Sequence, residues 1–293
     1  MLKKYKAVFF DWDGTAVLSR KAPVDEAVSA MRPLLDRGIK LAIISGTTME
    51  NIAGGRLETY FTKKQLDHLY LGLGRGAYNY AFRNGQPYIF ADRMPNAGMM
   101  ETIHRVAFEI HMELKKRYGL DTDIIFSRPN YCKIDIFVDS SRGEQMFMQE
   151  NEMEALKILL QNHDVNGGLN ELMDLSREIG EKYGISVKPT CDAKYLEVGI
   201  SSKSDNVDMI LGKICKEAKI CPQECAYWGD EFVALEEEIY GSDSFMYTDK
   251  TKEGDFFDVS DLPGVRPEGI VRLGGGIHTF LEFLKKLEAI LPL

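Results

Sequence analysis

Ala7-Val8-Phe9-Phe10-Asp11-Trp12-Asp13-Gly14-Thr15 is the stretch from which the rest of the chain can be read. Four consecutive apolar residues, rich in Val and Phe, predict a short strand buried on both faces. Two carboxylates follow at its C-terminal end, and in an open α/β sheet ligands bind beyond the carboxyl ends of the strands. Gly14 permits the tight turn away from the strand, and Thr15 offers a hydroxyl to a bound anion. Asp11 is placed to act as a nucleophile, because a carboxylate can attack phosphorus and form an acyl phosphate. Asp13 is near enough to exchange a proton with a leaving group or with water. Two like charges this close call for a cation, and Mg²⁺ is the natural one. A loop with two solvated aspartates is the plain alternative. The buried-strand pattern before the pair and Gly-Thr after it favour chemistry.

Working outward, residues 23–37 carry Val24, Ala27, Val28, Met31, Leu34 and Leu35 at helical spacing, with Pro23 at the start and Gly38 at the stop. Residues 39–44 read as a second strand, so strand, helix and strand form a βαβ unit and predict a parallel sheet. That strand ends in Ser45-Gly46-Thr47-Thr48, where hydroxyls and backbone N–H groups can cradle a phosphate, or merely cap the next helix. Further on, Lys203 opens a helix whose buried face is Val207, Ile210, Leu211 and Ile214. A lysine there opposes the helix dipole unless an anion faces it. Cys225-Ala226-Tyr227-Trp228 reads as another short strand, and Gly229-Asp230-Glu231 again puts a carboxylate at a strand end.

Asp11-Trp12-Asp13-Gly14-Thr15 resembles the D-x-D-G-T signature of the haloacid dehalogenase (HAD) superfamily, in which the second Asp accompanies phosphoryl transfer. Ser45 resembles the second motif of that family. Relatives often read T-G-R there, so Thr47 stands where a phosphate-binding Arg is missing. Lys203 resembles the third motif of the Cof-type branch, with one extra Ser before it. Asp230 resembles the metal-binding aspartate of a fourth motif, G-D-x-x-x-D, but position 234 is Ala. Glu231, Glu236 or Asp243 can supply the missing oxygen, and Glu231 is the preferred candidate. The resemblance implies an α/β fold: a Rossmann-like doubly wound parallel-sheet core (1–82 plus 190–293) with an inserted α+β cap (83–189). It implies a Mg²⁺-dependent phosphatase acting on a small phosphorylated metabolite, such as a sugar phosphate, through an aspartyl phosphate. Asp11, Asp13, Ser45 and Lys203 are the expected catalytic residues, and Asp11, Asp13, Asp230 and Glu231 the metal ligands. A phosphotransferase or mutase, or a catalytically impaired binding protein with this fold, are the alternatives.

Within the expected cap, residues 97–118, 153–160 and 169–183 read as helices and 124–126, 133–138 and 185–187 as strands, with a further short strand at 195–198 just beyond it. The polar loop Ser127-Arg128-Pro129-Asn130-Tyr131-Cys132-Lys133 can present Arg128 and Lys133 to a sugar or phosphate, beside Gly46 and Thr47 on the other lobe. A solvated turn is the competing reading. Gly72-Leu73-Gly74-Arg75-Gly76 lacks the G-x-G-x-x-G spacing of a dinucleotide site and precedes a hairpin that turns at Asn84-Gly85. Residues 245–248 and 270–273 are expected strands, with 249–269 largely a surface loop. The methionines, Met146 and Met148 among them, read as core filler or surface.

The chain's 293 residues can bury a core of useful size, and its composition is that of a globular protein. A formal net charge of −9 argues against general affinity for nucleic acid or anionic membrane. The five cysteines lack the spacing of a secreted disulfide scaffold or a zinc site. With no signal-peptide or membrane-span pattern, the expectation is a cytoplasmic monomer or small homo-oligomer whose partner is a small-molecule phosphate ester.

Overall fold

The computed structural model describes residues 3–138 and 150–291. Met146 and Met148 therefore lie outside the described residues. The chain opens with β1 (Ala7–Phe10), α1 (Asp25–Asp36), β2 (Lys40–Ile44), α2 (Lys63–Leu66), β3 (Leu69–Leu73), β4 (Tyr78–Arg83) and β5 (Gln86–Asp92). Then come α3 (Ala97–Tyr118), β6 (Asp123–Ile125), β7 (Tyr131–Asp135), α4 (Glu150–Asn162), α5 (Gly168–Lys182), β8 (Thr190–Cys191) and β9 (Tyr195–Gly199). It closes with α6 (Lys203–Ala218), β10 (Cys225–Gly229), β11 (Ala234–Glu236), β12 (Ile239–Tyr240), β13 (Asp255–Asp258), β14 (Ile270–Arg272) and α7 (Gly276–Ile290).

The large sheet runs β14-β13-β10-β1-β2-β3-β4-β5. Pairing is parallel from β14 to β3, and antiparallel only where the β4–β5 hairpin extends it. The strand period of two explains the layers. Val8 and Phe10 of β1 pack on one face with Leu34 and Leu35 of α1 and Phe280 and Leu284 of α7. Ala7 and Phe9 pack on the other with Val207, Ile210 and Leu211 of α6. Both faces are covered, which is why the apolar run is continuous rather than alternating. The fold is the expected mixed α/β architecture with a mostly parallel central sheet.

A second sheet, β6-β7-β9-β8, is antiparallel and has its own core, with Ile103, Val106 and Ile110 of α3 and Leu172 and Ile179 of α5. The Asn84-Gly85 turn, with φ of 55° and 82°, keeps β5 in the large sheet as far as Asp92. β8 and β9 belong to the small sheet as far as Gly199. We propose that the two lobes divide at these points, rather than at 82 and 190.

Three local expectations differ from the structure. Residues 185–187 form no strand; Val187 instead packs so tightly on α5 that a Cβ at Gly180 would lie 2.0 Å from its Cγ2. The segment expected as a strand at 245–248 contributes to a 3₁₀ turn, Ser242–Met246. The strand lies further on, at β13, inside the stretch expected as a loop. Burial decides this: Phe256 stacks on Tyr227 with ring centroids 4.4 Å apart, and the fully buried Asp258 is paired with Arg266 at 2.6 Å. Among the described residues no helix is long and apolar enough to cross a membrane.

Candidate active site

β1, β2 and β10 are adjacent and parallel, so their C-terminal ends deliver Asp11, Ser45 and Asp230 to one edge of the sheet. Asp11 is held by the last rung of the ladder, its N–H donating to the Trp228 carbonyl at 2.9 Å. The chain then turns sharply: Gly14 donates to Val17 at 2.7 Å, and Ala16 and Val17 both donate to the Trp12 carbonyl at 3.0 Å. Gly14 adopts φ 86°, and a Cβ there would lie 2.1 Å from Asp230 Oδ2. Glycine is thus required twice, by its backbone angle and by the carboxylate seated against it. Thr15 Oγ1 donates to Asp230 Oδ1 at 3.0 Å, fixing that carboxylate from the same turn.

Lys203, the first residue of α6, is buried, and its ammonium bridges Asp11 Oδ1 at 2.8 Å and Asp243 Oδ1 at 2.7 Å. The other oxygen of Asp243 accepts the backbone N–H groups of Asp230 and Glu231 at 2.9 and 2.8 Å. Gly229 leaves room for it, since a Cβ there would lie 2.3 Å from Asp243 Oδ2. Carboxylate oxygens of Asp11, Asp230 and Asp243 lie within 4.8 Å of one another.

The partner of Asp230 in this cluster is therefore Asp243, not the expected Glu231. Glu231 still lines the cavity and accepts a hydrogen bond from Ser242 Oγ at 2.7 Å. Glu236 faces elsewhere, accepting the N–H of Leu169 at the start of α5. Between Asp230 and Asp243 the chain makes the β11–β12 hairpin, so spacing alone does not reveal that the two meet. Asp13 is not in the three-carboxylate cluster either; its Oδ2 pairs with Arg20 at 3.1 Å, and its Oδ1 is buried without a partner.

The electrostatics follow from burial and charge count. Burial raises the Asp11 carboxyl well above the usual carboxylate range; Asp243 and Asp13 push it further, while Lys203 opposes them. Asp230 is raised by burial and then by Asp243, Glu231 and Asp11. Burial also raises Glu231 and Asp13, against the pull of Lys203 on the first and Arg20 on the second. Burial pulls the Lys203 ammonium down, but Asp11 and Asp243 overcome it and hold it well above the ordinary lysine value. Three carboxylates share one bridging ammonium, so the cluster is short of two positive charges. An all-oxygen donor set with that deficit fits a hard divalent cation, Mg²⁺ foremost.

A cavity of about 130 Å³ opens over this edge, lined by Asp11, Asp13, Ser45, Gly46, Thr47 and Lys203 from the large lobe. Ser45 Oγ accepts the Thr47 N–H at 3.3 Å, shaping the loop. Arg128 and Lys133 line the opposite wall. They differ in what holds them. Lys133 is engaged with Glu197 at 2.8 Å, whereas Arg128 has its Nε buried with no partner among the described residues. Two further cations line the cavity that the motifs did not point to, Arg20 and Arg75. Arg75 was legible as a non-glycine inside a glycine turn, and it sits at φ 55°. No local pattern marked Arg20.

No protein-family model matches the chain, and no curated protein does. Solved structures do. Plasmodium falciparum IMP-nucleotidase superposes with a TM-score of 0.57 at 12% identity, covering 98% of this chain and 63% of that one. Its N-terminally truncated form with IMP bound gives 0.58 at 13% identity, over 98% and 68%. Aspergillus fumigatus trehalose-6-phosphate phosphatase gives 0.59 at 14%, over 97% and 93%. This chain thus spans less than two thirds of the first nucleotidase chain, but nearly all of the fungal enzyme's chain matches. At such identities the likeness is one of fold: the α/β architecture with the mostly parallel sheet described above.

Proposed function

We propose that this chain is a Mg²⁺-dependent phosphatase that hydrolyses a small phosphorylated metabolite, such as a sugar phosphate, through an aspartyl phosphate on Asp11. One observation carries the reading: a buried aspartate at a parallel-strand end, bridged by Lys203 and clustered with Asp230 and Asp243 beneath a small polar cavity. The D-x-D-G-T resemblance and a fold shared with proteins named as a nucleotidase and a phosphatase agree with it.

With Asp11 Oδ1 held by Lys203, Oδ2 is the oxygen left to attack phosphorus. The P–O bond to the leaving alcohol breaks, and Asp13 delivers its proton to that oxygen. Asp13 then takes a proton from water, whose oxygen attacks the acyl phosphate and releases inorganic phosphate, restoring the Asp11 carboxylate. Ser45, Gly46, Thr47 and Lys203 hold the equatorial oxygens, and such fixed donors supply most of the rate enhancement in phosphoryl transfer. Asp11, Asp230 and Asp243 would hold the cation, which when bound neutralises the charge on phosphate and carboxylates.

The test is a panel of phosphorylated metabolites with and without Mg²⁺, using wild type and Asp11→Asn. Wild type should release phosphate from at least one ester only with the cation, and Asp11→Asn should lose about a thousandfold or more in turnover. Retained activity in Asp11→Asn would refute the nucleophile. Transfer of the phosphoryl group to an acceptor sugar in preference to water would move the reading to phosphotransferase.

A further inference from the structure

The second-strand loop carries Thr47 where the resemblance leads one to expect a guanidinium, but a guanidinium is nevertheless there. Arg20 reaches it from the loop between β1 and α1. Its Nη1 donates to Thr47 Oγ1 at 3.4 Å, its Nη2 pairs with Asp13 Oδ2 at 3.1 Å, and its Nε is buried with no partner among the described residues. Its side chain is 23% exposed and lines the same cavity as Asp11, Ser45 and Lys203. A guanidinium has five N–H donors in a rigid fork that matches phosphate oxygens. Here only one carboxylate and one long hydroxyl contact use them.

The turn makes this reach possible. The Gly14–Val17 hydrogen bond folds the chain back directly after Asp13, so that Arg20, distant from Thr47 along the chain, comes beside it. We propose that Arg20 is a phosphoryl-binding catalytic residue, supplying from the first loop the charge that position 47 lacks. Its unpartnered Nε–H and a free Nη hydrogen take one equatorial phosphoryl oxygen, while Thr47 Oγ1 and Asp13 orient the fork. This assignment rests on the proposed phosphatase reading for its site, but it is read out by binding alone.

The experiment measures binding of inorganic phosphate by calorimetry, in saturating Mg²⁺, to the full chain and three variants. Arg20→Gln should weaken phosphate about ten- to a hundredfold, the scale of a hydrogen bond to a charged group. Arg20→Lys should recover part of that loss. The double variant Arg20→Ala/Thr47→Arg, which moves the guanidinium to the position the family pattern gives it, should recover most. Thermal melts identify any variant that is misfolded, and the double variant's gain over Arg20→Gln cannot come from misfolding. If Arg20→Gln lowers kcat but leaves phosphate affinity within about twofold, Arg20 only positions Asp13 and the assignment is overturned. Wild type that hydrolyses esters while phosphate affinity ignores Arg20→Gln also overturns it, yet leaves the phosphatase reading intact. Wild type that binds phosphate through Arg20 but hydrolyses no ester supports the assignment and removes the phosphatase reading. Wild type that binds no phosphate overturns both.

Discussion

Two buried ion clusters face the same cavity from opposite walls, and they are built on opposite charge balances. On the small-sheet wall Glu197 meets two cations, Lys133 at 2.8 Å and Arg75 at 2.9 Å, and Thr190 Oγ1 donates to it at 2.9 Å. Arg75 also donates to the carbonyls of Lys188 and Ser201 at 2.7 and 2.6 Å. Burial alone would raise Glu197, but Lys133 and Arg75 overcome it and hold the carboxyl at about 2. On the large-sheet wall three carboxylates meet one ammonium, and Asp11 and Asp230 are pushed up instead. The first cluster has one positive charge in excess, each cation paired with Glu197, and ties strands β7, β8 and β9 to the turn before β4. The second is two positive charges short. A buried cluster short of positive charge is a candidate cation site, whereas one whose members are all paired acts as a joint.

The largest effect expected from this contrast is on the fully paired side. Glu197→Gln leaves Lys133 and Arg75 buried without their counter-ion, and breaking a buried pair in this way costs about 3–5 kcal/mol. Urea unfolding at neutral pH should show that loss with the m-value unchanged. If the variant is as stable as wild type, the cluster is not the joint described here. The complementary prediction is on the deficient side: saturating Mg²⁺ should raise stability, by about 2.7 kcal/mol at a hundred times its dissociation constant. Asp243→Asn should abolish most of that gain, whereas a variant on the opposite wall, Lys133→Met, should keep it.

How much of this was legible in the sequence follows the same divide. The large-sheet wall is assembled from strand ends, so its residues announce themselves locally. An apolar run ending in Asp11-Trp12-Asp13-Gly14, or in Gly229-Asp230, has one reading once the sheet is parallel. Lys203 was legible because a cation at a helix start needs an anion. Asp243 was legible only as one of three candidates, because the β11–β12 hairpin intervenes and only the fold brings it back to β10 in preference to Glu231 or Glu236. The small-sheet wall is made across strands of different hairpins, where Lys133 and Glu197 are opposed by register and nothing adjacent in sequence signals it. Hence Lys133 read as a free substrate-binding charge, though its ammonium belongs to Glu197. Strand β13 was missed for a related reason: Phe256 and Phe257 are only two apolar residues between acids, and their burial depends on Tyr227 and Trp228 next door.

A medium effect is expected at the turn that joins β1 to the cluster. Gly14→Ala forces an L side chain to φ 86° and drives its Cβ to within 2.1 Å of Asp230 Oδ2. The strained backbone costs about 1–3 kcal/mol. Because Asp230 must move, the Mg²⁺-induced stabilisation should fall as well. A loss of stability with the Mg²⁺ gain intact would mean that Asp230 relaxes without leaving the cluster, and that the three carboxylates tolerate a looser geometry than the contacts suggest.

The smallest effect carries a sign that separates the two clusters most directly. A carboxyl whose folded pKa lies above its unfolded value takes up a proton on folding, so its contribution to stability grows as pH falls. Asp11 and Asp230 are of this kind. Glu197 is the reverse: its contribution is complete above the unfolded value near 4.3 and is lost as pH falls toward about 2. In chelator, wild-type stability should therefore rise on mild acidification from neutral pH and collapse only in the strongly acid range where Glu197 titrates. Asp230→Asn should make the protein more stable than wild type in chelator at neutral pH, because it removes a buried carboxyl that its acidic neighbours hold raised. The same variant should flatten the rise on mild acidification and leave the acid collapse in place. If Asp230→Asn instead destabilises the metal-free protein, its carboxylate is already compensated by its neighbours. The large-sheet cluster is then a second joint, not a cation site.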